Sequence, residues 1–156
     1  MATWAEFELA EPELAAFGKE RLDQQVCFHA TLRADGSPRV HPIEAWIAVG
    51  LLLVRFRARS PKVDEVLRDG RYALHSSMDN LEGEGGEFLV RGWMEQIAET
   101  HPAVQRYQHD APYPLAFYAM SVEEAVGTTY EGDEPVYRRW RDQATRPGEP
   151  SGVEKS

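Results

Sequence analysis

The stretch Phe28-His29-Ala30-Thr31-Leu32-Arg33-Ala34-Asp35-Gly36-Ser37-Pro38-Arg39-Val40-His41-Pro42 decides how the chain reads. Val26–Leu32 is short and rich in β-forming residues. An Asp-Gly pair after such a run and before another is a strong hairpin signal, because both residues accept the backbone angles of a tight turn. Arg39–Val49 reads as the returning strand. Its alternation places Arg39, His41, Ile43, Ala45 and Ile47 on one face and Val40, Glu44 and Trp46 on the other. Pro42 has no N–H to give a ladder, so a bulge or an unpaired position is expected there. Gly50 turns the chain into a third strand, Leu51–Arg57.

Outward from this hairpin the pattern stays short and turn-rich. Ser60–Gly70 carries the marks of one helix. Ser60 is a good N-cap, Pro61 suits the first helical position, and Val63, Val66 and Leu67 share a face. Gly70 is expected to stop that helix. Tyr72–Ser76 is a fourth strand, Met78–Gly86 a solvated loop, and Glu87–Glu99 a long fifth strand with Gly92 as a bulge or close approach. A helix should open at Thr100-His101-Pro102 and run to about His109. Leu115–Val122 and Ala125–Tyr130 read as strands, and Asp133-Glu134-Pro135 turns into Val136–Trp140. Upstream, Leu14, Phe17, Arg21 and Leu22 mark a helix over Glu11–Gln24. The expected fold is mainly β with peripheral helices: a small antiparallel barrel over residues 1–140. Residues 141–156 are polar, with Pro147 and Pro150, and read as a mobile tail.

Composition bounds the function. The chain has 156 residues, 17 basic against 26 acidic, for a net charge of −9. That length fits one domain. The charge argues against nucleic acid or an anionic membrane as partner. The apolar run Ala45–Val54 is broken by Gly50 and falls short of the ~20 residues a spanning helix needs. No secretory signal opens the chain. Cys27 is the one cysteine, so neither an internal disulfide nor a cysteine-based zinc site is available, and no metal is expected. A reduced, cytoplasmic protein is the expectation.

The charge is unevenly spread. Between Arg33 and Arg71 there are eight basic residues and five acidic ones, a net of +3, which leaves −12 for the rest. Solvated strand ends could account for such an island. So could a site for a small anion such as a phosphate, whose oxygens are satisfied by guanidinium groups and helix N-termini.

With these elements in place, the chain resembles the pyridoxamine 5′-phosphate oxidase-like family of FMN-binding split barrels. The Phe28–Pro42 run looks like that family's opening hairpin. Ser60-Pro61-Lys62 through Leu67-Arg68-Asp69-Gly70-Arg71 resembles its next segment, where Ser-x-Lys opens a helix ending near Arg-Asp-x-Arg. Gly86-Glu87-Phe88-Leu89-Val90-Arg91-Gly92-Trp93 resembles the strand that follows. The resemblance implies an antiparallel split β-barrel, a homodimer, and a flavin in a groove at the dimer contact. It implies a phosphate near Arg39, Arg55, Arg57, Ser60, Pro61 and Lys62. The flavin ring would lie along Val40-His41-Pro42-Ile43 and Arg55-Phe56, with Glu87 also at the cofactor. Trp46, Trp93 and Trp140 are expected in the core or at the subunit contact. The implied activity is hydride transfer through FMN to or from a small substrate, whose identity and catalytic residues the sequence does not name. True pyridoxamine phosphate oxidases carry a C-terminal Arg-x-His signature. Here Tyr137-Arg138-Arg139-Trp140-Arg141 stands in that region, which argues against vitamin B6 oxidation. Relatives of this fold use the deazaflavin coenzyme F-420, and others bind haem or hold flavin without turnover. Both stay open as alternatives.

Overall fold

The Asp35-Gly36 turn behaves as its residues favour. Gly36 sits at φ +82°, and the Gly36 N–H donates to the Arg33 carbonyl at 2.9 Å. Arg33 N–H donates in turn to the Ser37 carbonyl at 2.9 Å, so a tight loop with a left-handed glycine joins the first two strands. The structure, a computed structural model, describes residues 1–107 and 111–144. These form the strands β1 Gln25–Leu32, β2 Pro38–Ala48, β3 Leu51–Arg57, β4 Arg71–Ser76, β5 Glu87–Ile97, β6 Leu115–Met120, β7 Glu124–Glu131 and β8 Glu134–Arg141. The helices are α1 Trp4–Ala10, α2 Pro12–Leu22, α3 Pro61–Arg68 and α4 Pro102–Gln105.

The strand order β4-β1-β2-β3-β6-β5, with β4 also pairing β5, closes a six-stranded antiparallel barrel. On β5 the pairing is divided: β6 takes Met94–Ile97 and β7 takes Glu87–Arg91. The chain parts around Gly92, where an added Cβ would lie 2.1 Å from the Ser121 carbonyl oxygen. The close approach expected at Gly92 is therefore present. β8 pairs only with β7, an edge position that admits Pro135 inside the strand rather than in the turn before it.

Three local expectations need correction. β1 and β2 pair without a bulge, and Pro42 stands opposite Phe28 in continuous register. Since Arg33–Ser37 is a hydrogen-bonded pair, alternation makes Phe28–Pro42 a non-hydrogen-bonded one. The Pro42 nitrogen thus faces the outer edge of β2, which β3 occupies only along Trp46–Ala48. Gly70 is not a left-handed helix stop, because α3 already ends at Asp69 in extended backbone. Gly70 instead lets the chain meet Trp93: an added Cβ would lie 2.5 Å from the indole nitrogen. The helix after Thr100 spans only Pro102–Gln105, capped by the His101 side chain, and its expected end at His109 lies outside the described residues.

Apolar faces sort into two clusters. Trp4, Phe7, Leu14, Leu22, Leu74 and Phe88 join the barrel interior to α1 and α2. A smaller cluster of Trp46, Leu53, Ala103, Val104 and Phe117 lies where β2, β3 and β6 meet α4. β8 continues one residue past Trp140, which packs on Phe7 at 5.0 Å between ring centroids. Of the expected tail, residues 145–156 lie outside the described residues.

Candidate functional site

β3 alternates as a strand must. Phe56 turns inward and is 3% exposed, while Arg55 and Arg57 point to the other side. Three residues past Arg57 the chain reaches Ser60, whose hydroxyl caps α3 by accepting from Lys62 N–H at 3.4 Å. This bend opens a groove of about 590 Å³. Its walls are Pro42 and Ile43 of β2, Arg55-Phe56-Arg57 of β3, the Arg59–Lys62 segment, and Tyr113 and Leu115. The volume lies in the range of about 300–1,000 Å³ usual for small-molecule sites.

The groove is cationic. Arg55, Arg57, Arg59 and Lys62 line it, and no lining residue is acidic. Among the described residues none of these four forms an ion pair with a carboxylate. Aromatic rings hold three of them. The Arg55 guanidinium lies 4.5 Å from the Tyr107 ring, which stacks on Trp46 at 4.4 Å and hydrogen-bonds the Glu44 carboxylate through its hydroxyl. Arg57 lies 4.1 Å over Tyr113, and the Lys62 ammonium 5.4 Å over Phe56. Partial burial, with Arg39 nearby, holds the Lys62 pKa below its usual value.

The helix N-terminus contributes less than its sequence promises. Pro61 has no N–H, Lys62 N–H goes to the Ser60 hydroxyl oxygen, and Val63 N–H goes to the Ser60 carbonyl at 3.0 Å. The groove's available donors are therefore side chains. The Ser60 O–H, the Lys62 ammonium and the arginines are the donors.

Of the residues expected at a cofactor, Pro42, Arg55, Phe56, Arg57, Ser60, Pro61 and Lys62 come together in this groove. Four do not. Val40 is exposed on the outer face of β2. Glu87 opens β5 and does not line the groove. Arg39 is held by Glu65: its Nε reaches the two carboxylate oxygens at 2.9 and 3.1 Å, and its terminal nitrogen reaches one at 2.8 Å. Thr31 donates to the same carboxylate at 3.1 Å. Burial pushes the Glu65 pKa up, but the bonds from Arg39 and Thr31 outweigh it and the group stays below the usual carboxylate range. Arg39 is thus a partner for a buried acid before it is a ligand for a phosphate.

His41 turns into the barrel, where its Nε2 lies 3.3 Å from Nδ1 of His29. His29 is fully buried and sits directly opposite His41 in the β1–β2 register. Both rings pack near Phe56, at 5.7 and 6.0 Å. Desolvation, reinforced by repulsion from His41 and Lys62, drives the His29 pKa down to about 3, and desolvation with repulsion from Lys62 and Arg39 takes His41 down to about 4. The other ring nitrogens, Nε2 of His29 and Nδ1 of His41, are buried without a hydrogen-bond partner. Reading the hairpin outward from its turn would have paired these two histidines. Tyr113 and Leu115 had no comparable signal, since only the β3–β6 pairing Arg57–Leu115 brings them near.

No protein-family profile and no curated protein matches the sequence. Solved structures do match. The putative pyridoxamine 5′-phosphate oxidase of Listeria innocua aligns at a TM-score of 0.58 and 14% identity, over 76% of this chain and 97% of its own. An F420 reductase aligns at 0.52 and 16%, over 67% and 91%. HutZ, the haem storage protein of Vibrio cholerae, aligns at 0.55 and 13%, over 72% and 89%. At such identities the likeness is one of fold. The chain has the antiparallel split-barrel fold of the pyridoxamine 5′-phosphate oxidase-like proteins.

Proposed function

We propose that this protein is a flavin-binding oxidoreductase that seats the phosphate of FMN in the Arg55–Lys62 groove. The carrying observation is that groove itself: four cations, no acidic wall among the described residues, and a size suited to a small ligand. A phosphorylated flavin fits this donor set. Lys62 and Arg55 supply charge, the Ser60 hydroxyl supplies a neutral donor, and Pro42, Ile43 and Phe56 supply apolar wall for a planar ring. When bound, the flavin supplies hydride chemistry, and the protein supplies position, electrostatics and shielding from water. The aromatic clamp on Arg55 holds its guanidinium before a ligand arrives, which lowers the ordering cost of binding.

A deazaflavin is the second reading, favoured by a cation count above what one phosphate requires. A homodimer belongs to the same proposal. Val26 (57% exposed), Phe28 (47%) and Val40 (64%) form an apolar strip on the outer face of the β1–β2 hairpin, the kind of surface a second copy covers. A reducing, cytoplasmic setting suits Cys27, which is buried with its thiol pKa pushed up to about 11 by desolvation. The purified protein should carry, or take up, a flavin visible by absorbance. A nicotinamide donor should reduce it and an acceptor reoxidise it. Bound flavin that no donor reduces would leave a carrier rather than an enzyme. The absence of any flavin, deazaflavin or haem uptake would reject the reading.

A further inference from the structure

We propose that the groove seats a second anionic group, held by Arg57 and Arg59 beside Tyr113 and separate from the phosphate at Ser60–Lys62. This rests on the reading above for the position of the first anion.

The chain has 26 acidic residues against 17 basic ones, and most of its arginines elsewhere pair with carboxylates, Arg33, Arg68 and Arg106 being the exceptions among the described residues. Arg21 pairs Asp79, Arg39 pairs Glu65, Arg71 pairs Asp69, Arg91 pairs Glu124 and Arg138 pairs Glu13. Against that background, four cations gathered around one cavity with no acidic partner among the described residues are a local excess of positive charge. A phosphate monoester carries about −1.5 to −2 at neutral pH. Lys62 and Arg55 match that charge, which leaves Arg57 and Arg59 without a counter-ion among the described residues.

Geometry separates Arg55 from Arg57. Arg55 and Arg57 are alternate residues on one strand, so their backbones are about 6.6 Å apart. Arg55 leans toward Tyr107 and Trp46, whereas Arg57 leans onto Tyr113. These aromatic partners belong to separate segments, on either side of residues 108–110. A guanidinium lying over a ring keeps its N–H edge free in the plane, the arrangement that recognises a planar carboxylate or two phosphate oxygens. The class of ligand is therefore one with a second carboxylate or phosphate. That group is either part of an extended cofactor tail or carried by the substrate that meets the cofactor.

The test uses the full chain and the variants Lys62→Ala, Arg57→Ala/Arg59→Ala, and Arg71→Ala/Arg138→Ala as a control with the same net charge as the second. FMN and coenzyme F-420 are titrated by fluorescence, and benzoate is titrated onto FMN-loaded protein. Lys62→Ala should weaken FMN about tenfold or more, equivalent to one charge-assisted contact. Arg57→Ala/Arg59→Ala should leave FMN within about threefold. If the second anion is on the cofactor, F-420 binds the wild type tighter than FMN and loses that advantage in the Arg57/Arg59 variant. If it is on the substrate, benzoate binds the FMN-loaded wild type and not the FMN-loaded variant. Either result supports the inference. Three results overturn it: Arg57→Ala/Arg59→Ala weakens FMN as much as Lys62→Ala does, it changes no probe, or the control variant reproduces its losses. A wild type that binds neither flavin defeats the flavin reading instead. The anion inference is then decided with inorganic tripolyphosphate, whose binding must fall in both Lys62→Ala and Arg57→Ala/Arg59→Ala. Binding indifferent to the Arg57/Arg59 change would overturn it.

Discussion

Arg39 and Lys62 are close enough to repel one another, yet they belong to two kinds of site. Arg39 meets a buried carboxylate with two of its nitrogens, and Thr31 completes that acid's bonding. Lys62, with Arg55, Arg57 and Arg59, faces a groove and meets no acid among the described residues. The first arrangement is closed and ties β1, β2 and α3 together. The second is open and cationic. Basic residues of one sequence island thus divide between an ion pair that holds the fold and a groove wall, and what divides them is whether an acid among the described residues is within reach.

Arg39→Ala should have the largest effect. Glu65 keeps only 7% side-chain exposure, so losing its partner leaves a buried charge uncompensated. The expected cost is about 3–5 kcal/mol by chemical denaturation. A loss below about 1 kcal/mol would show that the two sites do not differ as described.

The histidine pair gives the next effect. Both histidines have folded pKa values far below the unfolded value of about 6.5. Between those limits the unfolded chain binds more protons, so stability falls as pH drops from about 6.5 toward about 4. Each histidine should contribute on the order of 3 kcal/mol, and the pH dependence should become shallower in His29→Phe, which keeps only the His41 share. Lys62, Arg39 and Glu65 also act on His41, and Glu65, whose pKa is depressed, loses its contribution only at still lower pH. Unchanged pH dependence in the variant would remove the pair from the account.

Lys62→Ala should reverse the pattern of Arg39→Ala. Stability should move by less than about 1 kcal/mol, while FMN binding loses about 1.5–3 kcal/mol. Arg138→Ala is the small-effect reference. Its ion pair with Glu13 is exposed on both sides, and stability should change by about 0.5 kcal/mol or less.

What the sequence made legible follows from the range of the forces involved. The β1–β2 hairpin, α3 with its Ser60 cap, and the close approach at Gly92 rest on local backbone chemistry, and all three are present. α1 was equally local, since Thr3 and Glu6 form a capping box, but a seven-residue helix leaves little periodicity beside it. The Arg39–Glu65 bond was not legible in the same way. It joins residues 26 apart, and both an acid one turn into α3 and a phosphate at its start are reasonable partners for Arg39. Tyr113 reaches the groove, and Tyr107 reaches Arg55 on its wall, only through tertiary packing, which no spacing along the chain announces.

The most direct test compares FMN with riboflavin on the wild-type protein, by titration of flavin fluorescence at low and at moderate salt. The two ligands share the ring and differ in the phosphate. The groove predicts that FMN binds at least about tenfold tighter and that added salt narrows the gap, since exposed cations are screened. Equal affinity for the two, or a gap that salt leaves untouched, would contradict the assignment of the Arg55–Lys62 groove to an anion.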